Sequence, residues 1–131
     1  MKESELFSIL NSVDSTNNYA MRQVHAAMAR HGMAWFAQEQ TAGKGQRGKI
    51  WQTGKGENIA LSIVLEPKGL AVTDQFRVSV AVSLGCFDFF NTLCNGNVSI
   101  KWPNDIYWND RKAGGILIEN VLRNSRVVSY T

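Results

Sequence analysis

The chain has 131 residues, 44% hydrophobic and 19% charged, with a formal net charge of +3. That is the length of one domain and the composition of a globular protein, so disorder and low complexity are excluded. The positive charge is mild: it suits an anionic small molecule and is too small to argue for nucleic acid.

The greasiest run, Val78 to Phe90, is broken by Asp88 and too short to span a bilayer. The first ten residues carry Glu3 and Glu5 and lack the apolar stretch of a signal peptide. A soluble, cytoplasmic protein is expected. Cys86 and Cys94 belong to no C-x-x-C and have no histidine pair nearby, so buried free thiols are expected.

Residues 6–13 predict an opening strand. After Asp14-Ser15-Thr16-Asn17, apolar residues at 19, 20, 24, 27 and 28 mark one face of a helix running to about Arg30. Asp14, Ser15 or Thr16 is its cap and Gly32 its stop. His25 and His31 have no partners at metal spacing and read as surface or helix-end residues. Residues 33–39 predict a strand. Residues 58–65 predict another, with Ile59, Leu61, Ile63 and Leu65 in the core and Ala60, Ser62 and Val64 on the other face.

Glu66-Pro67-Lys68-Gly69 is a turn. Thr73-Asp74 then opens a second helix to about Leu93, apolar almost all round in its second half and expected to be buried on a sheet. Asn95-Gly96 turns into a strand over Val98–Lys101, which Pro103 stops for want of an N–H. Asp105–Trp108 and residues 112–120 flank Asn109-Asp110-Arg111 as a hairpin. Trp102 and Trp108 are expected in the core. A last strand starts at Arg126 and runs to the end with no turn signal, so the chain reads as cut. This order predicts a single α+β domain over residues 1–131, a mixed, largely antiparallel sheet with its helices on one face.

Two stretches carry chemistry. The first is Gln40-Thr41-Ala42-Gly43-Lys44-Gly45-Gln46-Arg47-Gly48-Lys49-Ile50-Trp51. Its glycines let backbone N–H groups approach a ligand, and Lys44, Arg47 and Lys49 place positive charge among them, which suits a phosphate or carboxylate. Trp51 offers a flat face on which a purine could stack. A flexible basic surface loop is the plainer reading. The stretch is neither a P-loop nor a Gly-x-Gly-x-x-Gly turn. The second stretch is Lys101-Trp102-Pro103-Asn104-Asp105, followed by Lys112-Ala113-Gly114-Gly115-Ile116-Leu117-Ile118-Glu119.

With Ser15-Thr16-Asn17 ahead of them, these stretches resemble the catalytic domain of biotin protein ligases. The family pattern is Ser-Thr-Asn, a glycine- and arginine-rich loop, Lys-Trp-Pro-Asn-Asp and Lys-x-x-Gly-x-x-x-Glu. All four occur here in order between Ser15 and Glu119. The resemblance implies the fold shared with lipoate ligases and class II aminoacyl-tRNA synthetases. It also implies a reaction in two steps. ATP, carried with Mg2+, activates the carboxylate of biotin as biotinyl-5'-AMP, and biotin then passes to a lysine of a carboxylase's biotin-acceptor domain.

In that reading Ser15, Thr16 and Gln40 hydrogen-bond the ureido head of biotin, with Asn17 beside them. Lys44, Gly45 and Gln46 touch the ligand within the Gly43–Gly48 loop, and Gly43, Arg47 and Gly48 serve the phosphates. Trp51 stacks on adenine, and Asn104 and Asp105 line the nucleotide side. Lys112 contacts the oxygens between biotin and phosphate, with Asp105 orienting or deprotonating the incoming lysine. Gly114 and Gly115 let the backbone pass the biotin tail. No resident metal is implied. A homodimer is compatible with the resemblance, and no membrane is involved.

Glu119 reads equally as a structural ion pair, and Lys101 as solvated. Two departures stand out. Many members have arginine where this chain has Lys44 and Gln46, and their catalytic domains continue beyond the point matching Thr131. The alternatives are a biotin-binding fragment without catalysis, or a related lipoate or octanoate ligase or transferase. A DNA-binding repressor role is disfavoured, since no helix-turn-helix precedes the Ser-Thr-Asn.

Overall fold

The computed structural model describes residues 5–123 and 126–130. The chain forms two compact units, Met1–Leu70 with Glu119–Thr131, and Ala71–Ile118.

In the first unit, β1 (Phe7–Leu10) runs parallel to β2 (Ala34–Ala37), and β2 is antiparallel to β3 (Ala60–Ile63). The helix α1 (Thr16–His25) connects β1 to β2 and packs on β2 and β3. Its stripe buries Thr16 and Ala20. Ala20, Trp35 and Val64 form the core, with Leu10, Tyr19, Val24, Ala29 and Met33 against it. The Tyr19 ring lies 5.8 Å from that of Trp35, tilted. Trp35, in a segment predicted only as a strand, is a buried indole, 4% exposed.

Helix α1 ends a turn earlier than its apolar spacing predicts. Ala26 caps it, Ala27 sits at φ 56°, the Ala27 N–H donates to Val24 O at 3.1 Å and the Met28 N–H to Gln23 O at 2.9 Å. These two bonds satisfy the last carbonyls in the manner of a Schellman motif, with alanine where glycine is usual. Gly32 is therefore not the stop. It sits at φ 84° in the following turn, donating to Val64 O at 2.8 Å.

Strand β3 alternates as expected, but its faces are the reverse of the expectation. Ser62 and Val64 are buried, whereas Ile59, Leu61 and Ile63 are exposed. The reason lies in α1: the helix comes close over this face, where Ser62 Oγ meets Thr16 Oγ1 at 2.8 Å. Small side chains admit that approach, and bulky ones are excluded to the other face. Phe7 and Ile9 of β1 are exposed as well.

The unit's second ladder pairs β7 (Asn120–Arg123) with β8 (Arg126–Tyr130), antiparallel, with a bulge between Val121 and Leu122. The predicted strand over 112–120 is thus split: β6 (Arg111–Gly115) ends at Gly115 and a new strand begins at Asn120.

In the second unit α2 (Gln75–Leu93) follows a single 3-10 turn over Val72–Asp74, and the Asp74 carboxylate accepts from Ala71 N–H at 3.1 Å. The helix lies on β4 (Val98–Lys101) and β5 (Asp105–Trp108). It is not the buried helix its composition predicts: Ser83 is buried, but Phe76, Leu84, Phe89 and Leu93 are exposed. One face contacts the strands and the others are uncovered. The β4-β5-β6 ladder is antiparallel throughout. Asn109 and Asp110, both at positive φ, make the two-residue turn between β5 and β6, which places Trp108 opposite Arg111. Pro103 follows Trp102 through a cis peptide bond and its carbonyl accepts from Ser83 Oγ at 2.6 Å.

Trp102 and Trp108 are not core residues, being 52% and 45% exposed. Cys86 and Cys94 are free, as predicted, but only partly buried. Burial pushes the Cys86 thiol up, keeping it protonated. His25 ends α1 and is exposed, and His31 Nδ1 accepts the Glu66 N–H at 3.1 Å. No helix among the described residues is long and apolar enough to cross a membrane.

Candidate functional site

The N-terminus of α1 is built from the Ser-Thr-Asn sequence. Ser15 is the cap: its backbone is extended and its Oγ accepts from Asn18 N–H at 3.0 Å. Ser15 and Thr16 are 1% and 5% exposed, a buried polar pair at the open end of a helix. Asp14 fixes the helix from outside, bonding Arg22 through both carboxylate oxygens, at 3.0 and 3.1 Å, and Asn18 Nδ2 at 2.9 Å. The Arg22 guanidinium, then Asn18, hold its carboxyl well below the usual carboxylate range.

Gln40 reaches the same place from β2. A parallel bridge of Val13 with Gln40 carries the strand pairing past β1, with Val13 N–H donating to Glu39 O at 3.1 Å and Thr41 N–H to Val13 O at 2.9 Å. That register puts Gln40 Oε1 2.8 Å from Thr16 N and 3.2 Å from Thr16 Oγ1. The backbone N–H can only donate, so the amide's oxygen end is fixed inward and its Nε2 is a donor.

The glycine loop is a tight hairpin rather than a flexible strap. Trp51 N–H donates to Gly43 O at 2.8 Å, Gly45 N–H to Lys49 O at 2.7 Å, and Lys44 pairs with Ile50. Gly43 is buried, and a Cβ there would overlap the Trp51 carbonyl oxygen and stand 3.1 Å from Gln40 Nε2. At the tip Gln46–Gly48 make one 3-10 turn, with Arg47 at φ 56° and Gly48 at φ 73°. Gln46, Arg47, Gly48 and Lys49 are exposed, while Trp51 is half-buried.

Lys44 does not hang in solvent. Its Nζ lies 3.0 Å from Asn18 Oδ1 and 2.8 Å from Glu119 Oε1. The other carboxylate oxygen of Glu119 accepts from Asn17 Nδ2 at 3.2 Å. Glu119 is therefore an ion-pair partner, one of the two readings its sequence position allowed. Ser62, which the sequence places on the face of the strand away from the core, joins this cluster through Thr16 and Asn17. Nothing in its spacing signals that role.

The second unit holds the remaining predicted residues. Asp105 and Lys112 lie on the adjacent strands β5 and β6, with Lys112 Nζ 2.9 Å from Asp105 Oδ1. Asp105 Oδ1 is buried, and the ammonium approaches it outside hydrogen-bond geometry, so attraction between charges holds this contact. The bulge at Ile106/Tyr107 brings Lys112 opposite Tyr107 and Gly114 opposite Ile106. A Cβ at Gly114 would touch the Phe90 ring at 3.5 Å. Asn104 closes on Ile116: its carbonyl accepts the Ile116 N–H at 2.8 Å and its Nδ2 donates to Ile116 O at 3.2 Å. Gly115 is exposed at the end of β6. Lys101 is exposed, its Nζ 5.8 Å from the Tyr107 ring centroid. Among the described residues no group of three or more His, Cys, Asp or Glu could hold a metal.

Residues 9–129 match the family model of the biotin/lipoate A/B protein ligases. The chain belongs to that family. It is 37% identical to a biotin–[acetyl-CoA-carboxylase] ligase of Paracoccus denitrificans, over 86% of this chain and 46% of that protein. It is 34% identical to the bifunctional ligase/repressor BirA of Escherichia coli, over 86% of this chain and 34% of that one. Among solved structures it is similar to the biotin protein ligase of Leishmania major in complex with biotinyl-5-AMP. That match has a TM-score of 0.75 and 27% identity, and covers 95% of this chain and 55% of that one. The Aquifex aeolicus biotin protein ligase in complex with biotin and ATP matches with a TM-score of 0.72 and 26% identity, over 95% of this chain and 50% of that one. The chain thus spans about half, or less, of the relatives it matches. Its α+β class is that of the biotin protein ligases, the class II aminoacyl-tRNA synthetase-like fold.

Proposed function

We propose that this family member activates biotin with Mg-ATP to biotinyl-5'-AMP and transfers it to a lysine of a carboxylase's biotin-acceptor domain. The observation that carries the reading is the likeness, over 95% of the chain, to a biotin protein ligase holding biotinyl-5-AMP. The buried Ser15 and Thr16 and the part-buried Gln40 support it, because they offer the mixed donors and acceptors that a buried ureido ring needs. Gln40 Nε2 is a donor for a carbonyl, and Asn17 completes that end.

Activation brings a carboxylate to the α-phosphate, two anions whose repulsion fixed positive charge must offset. Lys112 is the residue we assign to the oxygens between biotin and phosphate, with Asp105 steering its ammonium through the 2.9 Å ion pair. Asp105 is also the residue proposed to receive the acceptor lysine. The hairpin from Gly43 through Lys44, Gly45, Gln46 and Arg47 to Gly48 supplies N–H donors to the biotin tail and the phosphates. Trp51 and Asn104 take the adenine side, and Gly115 lies along the biotin tail. In this scheme residues 1–131 lie within a catalytic domain, in the cytoplasm, with a homodimer as its candidate assembly.

The test is transfer. Incubation with biotin, Mg-ATP and an isolated biotin-acceptor domain should add one biotinyl group to a single lysine, read by mass spectrometry. Modification by lipoate or octanoate in place of biotin would overturn the choice of substrate.

A further inference from the structure

Six residues of the first unit form a hydrogen-bonded path from Gln40 to Lys44. Gln40 Oε1 accepts from the Thr16 backbone N–H at 2.8 Å, Thr16 Oγ1 meets Ser62 Oγ at 2.8 Å, and Ser62 Oγ donates to Asn17 Oδ1. Asn17 Nδ2 then bonds Glu119 Oε2 at 3.2 Å, and Glu119 Oε1 meets Lys44 Nζ at 2.8 Å. Lys44 and Gln40 belong to the same loop, so the chain itself joins the two ends of the path.

Both ends of the side-chain path have a fixed polarity. A carboxylate only accepts, so Asn17 must give Glu119 its NH2, and Asn17 Oδ1 is left as an acceptor. Reversing the Asn17 amide would set its oxygen against the carboxylate. Ser62 has one hydrogen, and Asn17 Oδ1, which cannot donate, takes it. At the far end a backbone N–H fixes Gln40 Oε1 as an acceptor. The Thr16 hydroxyl lies between and sends its hydrogen to Ser62 Oγ, since sending it to Gln40 Oε1 at 3.2 Å would leave two lone pairs facing each other across 2.8 Å. Its remaining lone pair is then an acceptor, while Gln40 Nε2 is a donor. A ligand that meets both must present an N–H beside a C=O, as a cyclic urea does.

We infer that Glu119 is a positioning residue which, through Asn17 and Ser62, orders the hydrogens of Thr16 for a ureido-type ligand. Through Lys44 the same carboxylate ties down the glycine loop. This rests on the biotin-ligase reading and deepens it: specificity for the ring is set by a carboxylate that need not touch the ligand. Ser62 is the link that carries the order from Glu119 to Thr16.

The test measures biotin and ATP dissociation constants by titration calorimetry for the full chain and for Glu119→Gln, Ser62→Ala and the double variant. The amide in Glu119→Gln keeps the shape of the carboxylate but can donate, so the order is lost without removing a heavy atom from the packing. Each single variant should weaken biotin about tenfold, the size of one lost buried hydrogen bond; Ser62→Ala should leave ATP unchanged, whereas Glu119→Gln, which also loosens Lys44, should weaken ATP as well. The double variant should be no weaker than the worse single one, since both cut the same path. Unchanged biotin affinity in Glu119→Gln would overturn the inference, as would an equal loss for ATP in Ser62→Ala or a multiplied loss of about a hundredfold in the double variant. If the unaltered chain binds no biotin, the ligase reading falls with it. Binding in the unaltered chain with no effect of the variants sinks the positioning role alone.

Discussion

Gly43 and Trp51 pin the two ends of the glycine loop against each other. The Trp51 N–H donates to the Gly43 carbonyl at 2.8 Å, and the space a Cβ would need at Gly43 is filled by the Trp51 carbonyl oxygen. A backbone oxygen cannot swing aside as a side-chain tip can. Gly43→Ala should therefore open the hairpin and destabilise the protein by about 1–3 kcal/mol, the range for overpacking. A fall in thermal midpoint, with faster tryptic cleavage at Lys44, Arg47 or Lys49, checks it. Normal stability and slow cleavage would show that the hairpin is not closed in this way.

Ala27 occupies a left-handed conformation that favours glycine. Ala27→Gly should relieve part of the roughly 1–2 kcal/mol that this conformation costs an ordinary residue. The thermal midpoint should rise with ligand binding unaltered. A lower midpoint would mean that α1 ends elsewhere.

Asp14 gives a pH dependence with a definite sign. Its carboxyl titrates below the usual range because Arg22 and Asn18 bond its charged form. Its contribution is then present above about pH 4, the unfolded value, and is lost as the pH falls toward the folded one. Asp14→Asn should lower the thermal midpoint at pH 7, and the deficit should narrow as the pH drops below about 4. The pair is exposed, so added salt should shrink the effect. A deficit that stays constant as the pH falls from neutral to well below about 4 would remove the charge from the explanation.

Lys112 is the residue on which the activation step is proposed to rest. Lys112→Ala should slow adenylation by about 3–4 kcal/mol in barrier, by analogy with the loss of one oxyanion donor. Biotin should still bind, because Ser15, Thr16 and Gln40 are untouched. Single-turnover formation of biotinyl-5'-AMP, set beside a biotin titration, separates the two. A near-normal rate would take Lys112 out of the chemistry.

The parts legible from sequence are those where one local rule decides. Ser15 capping α1, proline stopping β4 and the Asn-Asp turn between β5 and β6 each follow from a residue type at its place. The rest is settled by distant partners. Ile59, Leu61 and Ile63 lose the inner face of β3 because α1 sits too close there for large side chains, and no periodicity within the strand carries that. The early end of α1 depends on two backbone bonds that alanine makes at some strain. Size alone points Trp102 and Trp108 to the core, while Trp35 fills it. The motifs find the glycine loop, Asp105 and Lys112, but neither the ion pair between those two nor the path through Ser62, in which Asn17 and Glu119 bond across 102 residues.

Activation of biotin is the step on which the proposed function stands. Biotin-dependent exchange of pyrophosphate into ATP measures that step without any acceptor protein. Biotin should stimulate the exchange, lipoate and octanoate should not, and Lys112→Ala should lose it. Exchange stimulated by lipoate or octanoate but not by biotin would contradict that function.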